Sequence, residues 1–386
     1  MTTSRKPLIL FGIFISLFWF SLYSYVPTLS TYSEALGASG KMIGLILGSY
    51  GFTQMVLRIP LGIYSDTVNK RKIFIIIGTA FALISSLGMG LFASPLSLLI
   101  FRSLSGAAAA TWVSHTVLFS GYFSGFDAPK AIGYANAYNN LGQVLAMVLG
   151  GLAAQHFGPQ SPFMVAAAGA LAAILLSLRI EEKKDIDRKP LRIPELLLIA
   201  RDGNLLLVSG LAILAQVLAF GTVYGFTPVA AEAIGATPSE LGMLTTLATL
   251  PGIFASALSG SFFTKHFGER KTILWGFIIA ALSSGVIPFI KSMELLYLSQ
   301  FIGGFGRGMV FPLLMGLSIK AVDDSRRATA MGFFQAIYGL GMFLGPVLVG
   351  FLKDTAGLDW GFWAIGIIGL IGAVVSGIYI QDHKRA

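Results

Sequence analysis

"LRIPLGIYSDTVNKRK", residues 57–72, begins as an apolar helix and ends in charge. Arg58 sits inside the apolar part and Asp66 at its edge. Lys70, Arg71 and Lys72 stand just before the next apolar run. An acid and a basic cluster are thus wedged between two hydrophobic helices.

The surrounding chain explains the setting. Of 386 residues, 55% are hydrophobic and only 12% are charged, and the mean hydropathy is +0.78. A soluble domain is nearer a quarter charged. The 46 glycines suit membrane helices, where a missing side chain lets backbones approach closely. No cysteine is present, which removes disulfides, thiol catalysis and cysteine-based metal sites together.

Crossing roughly 30 Å of hydrocarbon takes about 20 apolar helical residues. Such runs occur at 8–31, 41–63, 73–93, 96–120, 131–154, 162–179, 205–230, 239–263, 272–290, 295–319, 331–352 and 361–380. The first is too long for the apolar core of a signal peptide and is followed directly by another span. The reading is an all-α integral membrane protein of twelve transmembrane helices. The opening stretch is the loop between spans 2 and 3.

The basic residues orient it. With both termini cytoplasmic, 21 of the 27 Lys and Arg fall in inner segments, 3 in outer loops, and Arg58, Arg102 and Arg307 within spans. That bias satisfies the positive-inside rule and places the protein as a multi-pass component of the cytoplasmic membrane. A net charge of +9 raises nucleic acid as a partner, but bases spread over short loops form no single basic face. The longest polar stretch, 181–204, reads as a cytoplasmic linker between bundles at 1–180 and 205–386. Pro194 and the "ELLLIAR" after it read either as an ordinary linker helix or as one lying on the membrane surface.

The chain repeats. At an offset of 198, "LGAS" at 36–39 with Ile43 and Gly44 matches "IGAT" at 234–237 with Leu241 and Gly242. Ser39 and Thr237 fall where spans 2 and 8 need a cap, and Glu240 completes a capping box. Arg102 and Gly106 correspond to Gln300 and Gly304. At an offset of 199, Gly133, Asn136, Leu141, Gly142 and Gly151 match Gly332, Gln335, Leu340, Gly341 and Gly350. Two parallel six-helix halves follow, pseudo-symmetric about an axis normal to the bilayer.

Twelve helices, a central linker and the 57–72 loop, repeated more poorly as "GSFFTKHFGERK" at 260–271, resemble the major facilitator superfamily of secondary transporters. The family loop runs glycine, acid four residues later, then glycine and two bases. Gly62, Asp66, Lys70 and Arg71 fit it; Asn69 replaces the second glycine, and asparagine tolerates the left-handed turn required. The resemblance implies that this loop gates the cytoplasmic side, with Asp66 latching the start of span 11 near Ser325 and Arg326. Arg58 joins the gating set as an alternative to snorkelling towards water. The bases Lys70 to Lys72 also serve topology.

The resemblance further implies a cargo site between the halves, lined by spans 1, 4, 7 and 10. A charge at the bilayer centre costs about 2.5–3.5 kcal/mol on insertion scales, so such groups face water, a partner or a ligand. Arg307 lies mid-span among Gly303, Gly304, Gly306 and Gly308, and Gln300 shares its helix face. Arg102, in "RSLSGAAAA", resembles an arginine-to-glycine motif that proton-coupled branches associate with proton transfer. Either arginine has a second reading as a brace for carbonyls or a neighbouring helix. The remaining candidates are Trp112, Tyr23, Asn136, Asn140, Gln216, Tyr224 and Gln335. His115 is the intramembrane group that titrates near neutrality, so it is the candidate for a coupling proton, against a neutral histidine bonded to a carbonyl.

None of the 18 acids falls mid-span. With arginines and no carboxylate there, the expected cargo is a small organic solute that is anionic or carboxylate-bearing, moved by alternating access. The alternatives are an efflux antiporter for neutral or lipophilic cargo and a receptor that binds without transport. The glycine-x-x-x-glycine-proline motif of exporters is broken at Ala146–Met147 in span 5, while Gly341 to Gly345–Pro346 in span 11 is intact. An enzyme is not expected: His115, His156, His266 and His383 have no metal or triad spacing, and no phosphate-binding loop appears. The expected partners are the small-molecule substrate, the lipid bilayer and protons, with no cofactor and a monomeric state.

Overall fold

A computed structural model describes residues 5–68, 70–123, 128–182, 201–320, 322 and 326–381, and among them the chain is helix and turn with no strand. Span 1 is Arg5–Tyr23 continued by Val26–Ala35, span 2 is Gly40–Val68, span 3 is Arg71–Leu91, and span 4 is Pro95–Ala110 continued by Trp112–Ser120. Spans 5 and 6 are Ala128–Phe157 and Ser161–Ser177. Span 7 joins Gly203–Gly221 to Thr227–Ala233 through a π-turn at Thr222–Phe226. Span 8 is Pro238–Leu258, followed by a π-turn at Ser259–Phe263; spans 9 and 10 are Thr264–Gly285 and Met293–Lys320. Span 11 is Arg327–Ile337 continued by Gly339–Thr355, and span 12 is Leu358–Tyr379.

Among the described residues, nine helical stretches are long and apolar enough to cross a bilayer, and one of them, Pro238–Phe289, contains both spans 8 and 9. Ser161–Ser177 is shorter, and span 5 is diluted by Asn136, Asn139, Asn140 and Gln143. The expected loop at 260–271 is largely helical. Its turn is made at Gly268, where φ is 82° and ψ 166°, a conformation that glycine adopts without a steric penalty. The Thr237–Glu240 capping box forms as read, and Ser39 accepts from the Met42 N–H at 3.3 Å. Asn69, Ser325 and the helix expected after Pro194 lie outside the described residues, as does the side chain of Asp66.

Spans 1 and 7 break at matched places. "YSYVP" at 23–27 and "YGFTP" at 224–228 stand 201 residues apart. Pro27 and Pro228 have no N–H to offer, and their rings crowd the carbonyls of Tyr23 and Tyr224 four residues back. Nearby hydroxyls take up carbonyls as each helix loosens: Ser24 donates to Phe20 at 2.7 Å and Thr222 to Leu218 at 2.6 Å. Span 4 breaks at Thr111, whose hydroxyl donates to the Ala108 carbonyl at 2.7 Å.

The halves meet along two seams, span 2 against span 11 and span 8 against span 5. A Cβ on Gly44 would stand 2.5 Å from the Pro346 carbonyl oxygen, and one on Gly242 would stand 2.6 Å from the Met147 carbonyl oxygen. Gly44 and Gly242 are repeat partners, and so are Gly350 and Gly151 on the opposing helices, where Cβ atoms would meet the Gly40 and Pro238 carbonyls. Each seam is a two-fold copy of the other, built where small residues let backbones touch.

Closure is strongest at the end away from the linker. There the Asp354 carboxylate, at the end of span 11, accepts from the backbone N–H groups of Gly40 and Lys41 at 2.7 and 2.8 Å. Lys353 pairs with Glu34 at 2.6 Å. Towards the linker the same stripes run out. Gly62, Gly133 and Gly260 continue them at helical spacing, and a Cβ on any of the three would meet nothing within 4 Å. The linker end also has ties within each half. Glu182 accepts from the N–H groups of Arg71 and Lys72 at the start of span 3, and Lys320 pairs with Glu269 at 2.7 Å.

Candidate functional site

The second half supplies a cationic wall. Arg307 stands on the glycine-rich face of span 10, where Gly304 and Gly308 let span 8 approach backbone to backbone. Its Nη2 donates to the Ala248 carbonyl at 3.3 Å, while Nη1 is buried without a hydrogen-bond partner. Gln300, two turns earlier, is 1% exposed, and both its amide oxygen and nitrogen lack partners. Tyr224, within electrostatic reach of Arg307, shares a hydrogen bond with Thr249 at 3.3 Å. Unpaired buried groups cost about 1–3 kcal/mol each. Arg307 Nη1 and the two Gln300 amide atoms are three such groups on one helix face.

The first half supplies an aromatic wall. Trp19 packs edge-on to Trp112 at 5.2 Å and against Tyr23 at 5.8 Å, and its Nε1 is buried without an acceptor. His115 is fully buried, stacked on Phe14 at 5.4 Å and tilted against Phe18 at 4.4 Å. Its Nδ1 lies 2.9 Å from the Thr111 carbonyl, at the break in span 4. That is the carbonyl-bonded alternative read from the sequence, and the surrounding rings place no charged partner against it.

Arg58 links the halves. Only 3% exposed, it donates to the Tyr338 hydroxyl at 2.7 Å, the Gln335 side-chain oxygen at 3.4 Å and the Gln335 carbonyl at 3.3 Å. It does not snorkel to water; it spans the seam. Gln335 is therefore engaged by Arg58. On the other seam the corresponding asparagines are less committed. Asn139 accepts from Gln143 at 2.6 Å, while Asn136 and Asn140 are half-buried on the stripe that runs from Gly151 to Gly133. Gln216, on span 7, packs beside Gly341 of span 11.

Arg102 stands apart from Arg307. It is 3% exposed, lies 4.3 Å over the Tyr50 ring and 5.4 Å from the Tyr25 ring, and donates to the Tyr25 hydroxyl at 3.1 Å. This is the bracing arrangement, joining spans 1, 2 and 4 inside the first half. Of the gating set, Gly62 faces open space, Lys70 is exposed, and Arg71 is the buried first residue of span 3. Among the described residues no three of His, Asp and Glu come together as a metal site.

Two helix-matched halves around a polar centre set the context for comparison with known proteins. The family model of the Major Facilitator Superfamily matches residues 9–228 and again 209–386. The chain belongs to the Major Facilitator Superfamily. This transporter is 28% identical over 370 residues to an uncharacterised MFS-type transporter of Methanocaldococcus jannaschii, covering 92% of this chain and 93% of that one. It is 29% identical over 169 residues to the quinolone resistance protein NorA of Staphylococcus aureus, covering 44% of this chain and 43% of NorA. The fold is shared with a bacterial homologue of the human lysosomal transporter Spinster (TM-score 0.81, 17% identity, 98% and 97% of the two chains). It is shared too with the nucleoside transporter NupG (TM-score 0.75, 16% identity, 97% and 98%).

In this MFS transporter the sequence does not single out Thr249, and it marks Trp19 and Tyr338 only as groups that could complete the cavity. Thr249 holds Tyr224, Trp19 is the middle of the aromatic wall, and Tyr338 anchors Arg58. A signal existed for the first pair of tyrosines. "YSYVP" and "YGFTP" are themselves a repeat, and the offset of 201 puts Tyr23 opposite Tyr224.

Proposed function

We propose that the chain is a secondary transporter that carries a small organic anion across the cytoplasmic membrane by alternating access. The observation that carries this reading is the unpartnered Arg307 Nη1, with the two unpartnered amide atoms of Gln300 on the same helix face. A carboxylate accepts two parallel N–H bonds from a guanidinium, and a carboxamide adds a third contact. The bias of 21 inner against 3 outer bases puts the linker end in the cytoplasm. On that orientation the structure is closed at the outer face and looser at the inner face. The bundles at 1–180 and 205–386 are the moving bodies, joined by 181–204. Arg58, Asp66, Gly62, Lys70 and Arg71 belong to the inner gate.

A second reading is efflux of a neutral or lipophilic compound. It draws on the likeness to a quinolone resistance protein over 169 residues and on the aromatic wall of Trp19, Tyr23 and Trp112. A thermal-shift screen of the purified protein against anionic, neutral and cationic solutes separates the two, repeated with Arg307→Ala. Selective stabilisation by anions that disappears in the variant supports the first reading. Stabilisation by cationic or neutral drugs alone, unchanged in the variant, supports the second and overturns the first.

A further inference from the structure

The aromatic wall and the cationic wall do different chemistry, and together they describe a shape of cargo. On the first half, Trp19 and Trp112 meet edge to face at 76°, and Tyr23 continues the array from Trp19. These three side chains are 6–8% exposed, so the rings are packed against one another. Buried indole N–H groups normally find an acceptor. Trp19 Nε1 has none, although it is buried at the junction of spans 1 and 4. On the second half, the unpaired donors include Arg307 Nη1 and the Gln300 amide, together with the hydroxyls of Ser209 and Thr227.

The two walls are contiguous across the pseudo-two-fold axis. Tyr23 meets Tyr224 with ring centroids 5.8 Å apart at 83°, and Tyr224 in turn stands within electrostatic reach of Arg307. Trp112, Trp19, Tyr23 and Tyr224 therefore form one chain of ring contacts from the first half into the second, with Arg307 within electrostatic reach of its end. A small aliphatic carboxylate would use only the charged end and leave the indole N–H unpaired. A neutral ring would leave the guanidinium unpaired.

We propose that this site takes a ring-bearing organic acid, its planar ring seated on Trp19 and Trp112 of the first half and its carboxylate on Arg307 of the second. Trp19 is then the residue that sets specificity for the ring, with its N–H donating to a ring substituent or heteroatom. Such a cargo touches both halves at once, so its occupancy biases how they close. The inference rests on the anion reading above and narrows its substrate class.

The test uses three probes on the full-length protein in lipid nanodiscs: indole-3-acetate, cyclohexylacetate and indole-3-acetamide. Binding is read as the concentration that half-saturates the thermal shift. Indole-3-acetate is expected to half-saturate at a concentration at least tenfold lower than either of the others. Trp19→Leu should abolish its advantage over cyclohexylacetate and leave cyclohexylacetate binding unchanged. Trp19→Phe, which keeps an aromatic face, should restore most of that advantage. Trp112→Leu is the second aromatic variant should Trp19→Leu fail to fold, with the same expected loss. Arg307→Gln should weaken both acids and not the amide. Equal binding of the two acids that neither tryptophan variant changes overturns the ring inference and leaves the anion reading standing. Equal binding of indole-3-acetate and its amide, unaffected by Arg307→Gln, or no shift with either acid, overturns the anion reading itself.

Discussion

Tyr23 and Tyr224 meet edge to face, ring centroids 5.8 Å apart at 83°, although 201 residues separate them in the chain. Each is the residue four before a helix-breaking proline, and each lies in its own half. Repeat-related side chains that touch one another must sit on the pseudo-two-fold axis. The pair is flanked by Tyr50 stacked on Phe220 at 6.2 Å, and Phe220 also packs on Tyr224 at 5.2 Å.

We propose that this position makes the pair a gate contact. Aromatic pairs contribute about 0.5–1.5 kcal/mol beyond the area they bury, roughly a two- to tenfold change in an equilibrium between two states. Tyr224→Ala is expected to raise the thiol-labelling rate of a reporter at Thr28→Cys, now 5% exposed in span 1, by about that factor. The natural chain has no cysteine, so the reporter is unambiguous. An unchanged labelling rate would remove the pair from the gate.

The glycine seams predict symmetric outcomes. Gly44 and Gly242 occupy equivalent places, with an added Cβ 2.5 and 2.6 Å from the carbonyl oxygens of Pro346 and Met147. Backbone cannot yield as a flexible side chain does, so Gly44→Val and Gly242→Val should each force the seam apart by overpacking, at about 1–3 kcal/mol. Both variants are expected to lower the melting temperature and to raise labelling of the Thr28→Cys reporter. A seam that accepted valine at one position and not at the other would contradict the two-fold equivalence.

Much of this architecture was legible from the chain. The offset of 198 to 199 pointed to duplicated halves, and the same glycines that revealed it turn out to be the atoms through which the halves touch. The broken exporter motif at Ala146–Met147 has a place too: Met147 is the repeat partner of Pro346, and both lend a carbonyl to the facing glycine. The polar site was less legible. Arg58, Arg102 and Arg307 look alike in sequence as cations in apolar helices. Their surroundings separate them, because one bridges spans 2 and 11, one is packed on tyrosines of its own half, and one alone has an unpaired terminal nitrogen, Nη1, the other two being unpaired only at Nε. Such distinctions depend on residues 52 to 280 positions away, which no local pattern encodes.

At the far end, Asp354 caps span 2 from the opposite half. A carboxylate on two N–H groups at a helix start combines hydrogen bonding with the helix dipole, worth about 0.5–2 kcal/mol in total. Asp354→Ala should open this end and move spin labels at Lys41→Cys and Thr355→Cys apart in a pulsed distance measurement. The neighbouring Lys353–Glu34 pair is partly exposed, so Glu34→Gln should change that distribution little, since such pairs contribute about 0–1 kcal/mol. A Glu34→Gln effect equal to that of Asp354→Ala would transfer the clasp to the ion pair.

Arg58 carries the sharpest single expectation. Its guanidinium reaches the Tyr338 hydroxyl and two oxygens of Gln335 at once, across the seam and away from water. The repeat partners of these residues, Ser256, Asn139 and Asn136, carry no cationic counterpart, so one seam is pinned by charge and the other is not. Hydrogen bonds to a charged group are worth about 1.5–3 kcal/mol, and a lysine cannot copy the planar fork. Arg58→Lys should therefore lower the melting temperature nearly as much as Arg58→Ala. Tyr338→Phe, removing one acceptor, should give a smaller loss, and combining it with Arg58→Ala should add little to the arginine variant alone. Strict additivity of the two substitutions would mean that the bond at 2.7 Å does not hold spans 2 and 11 together.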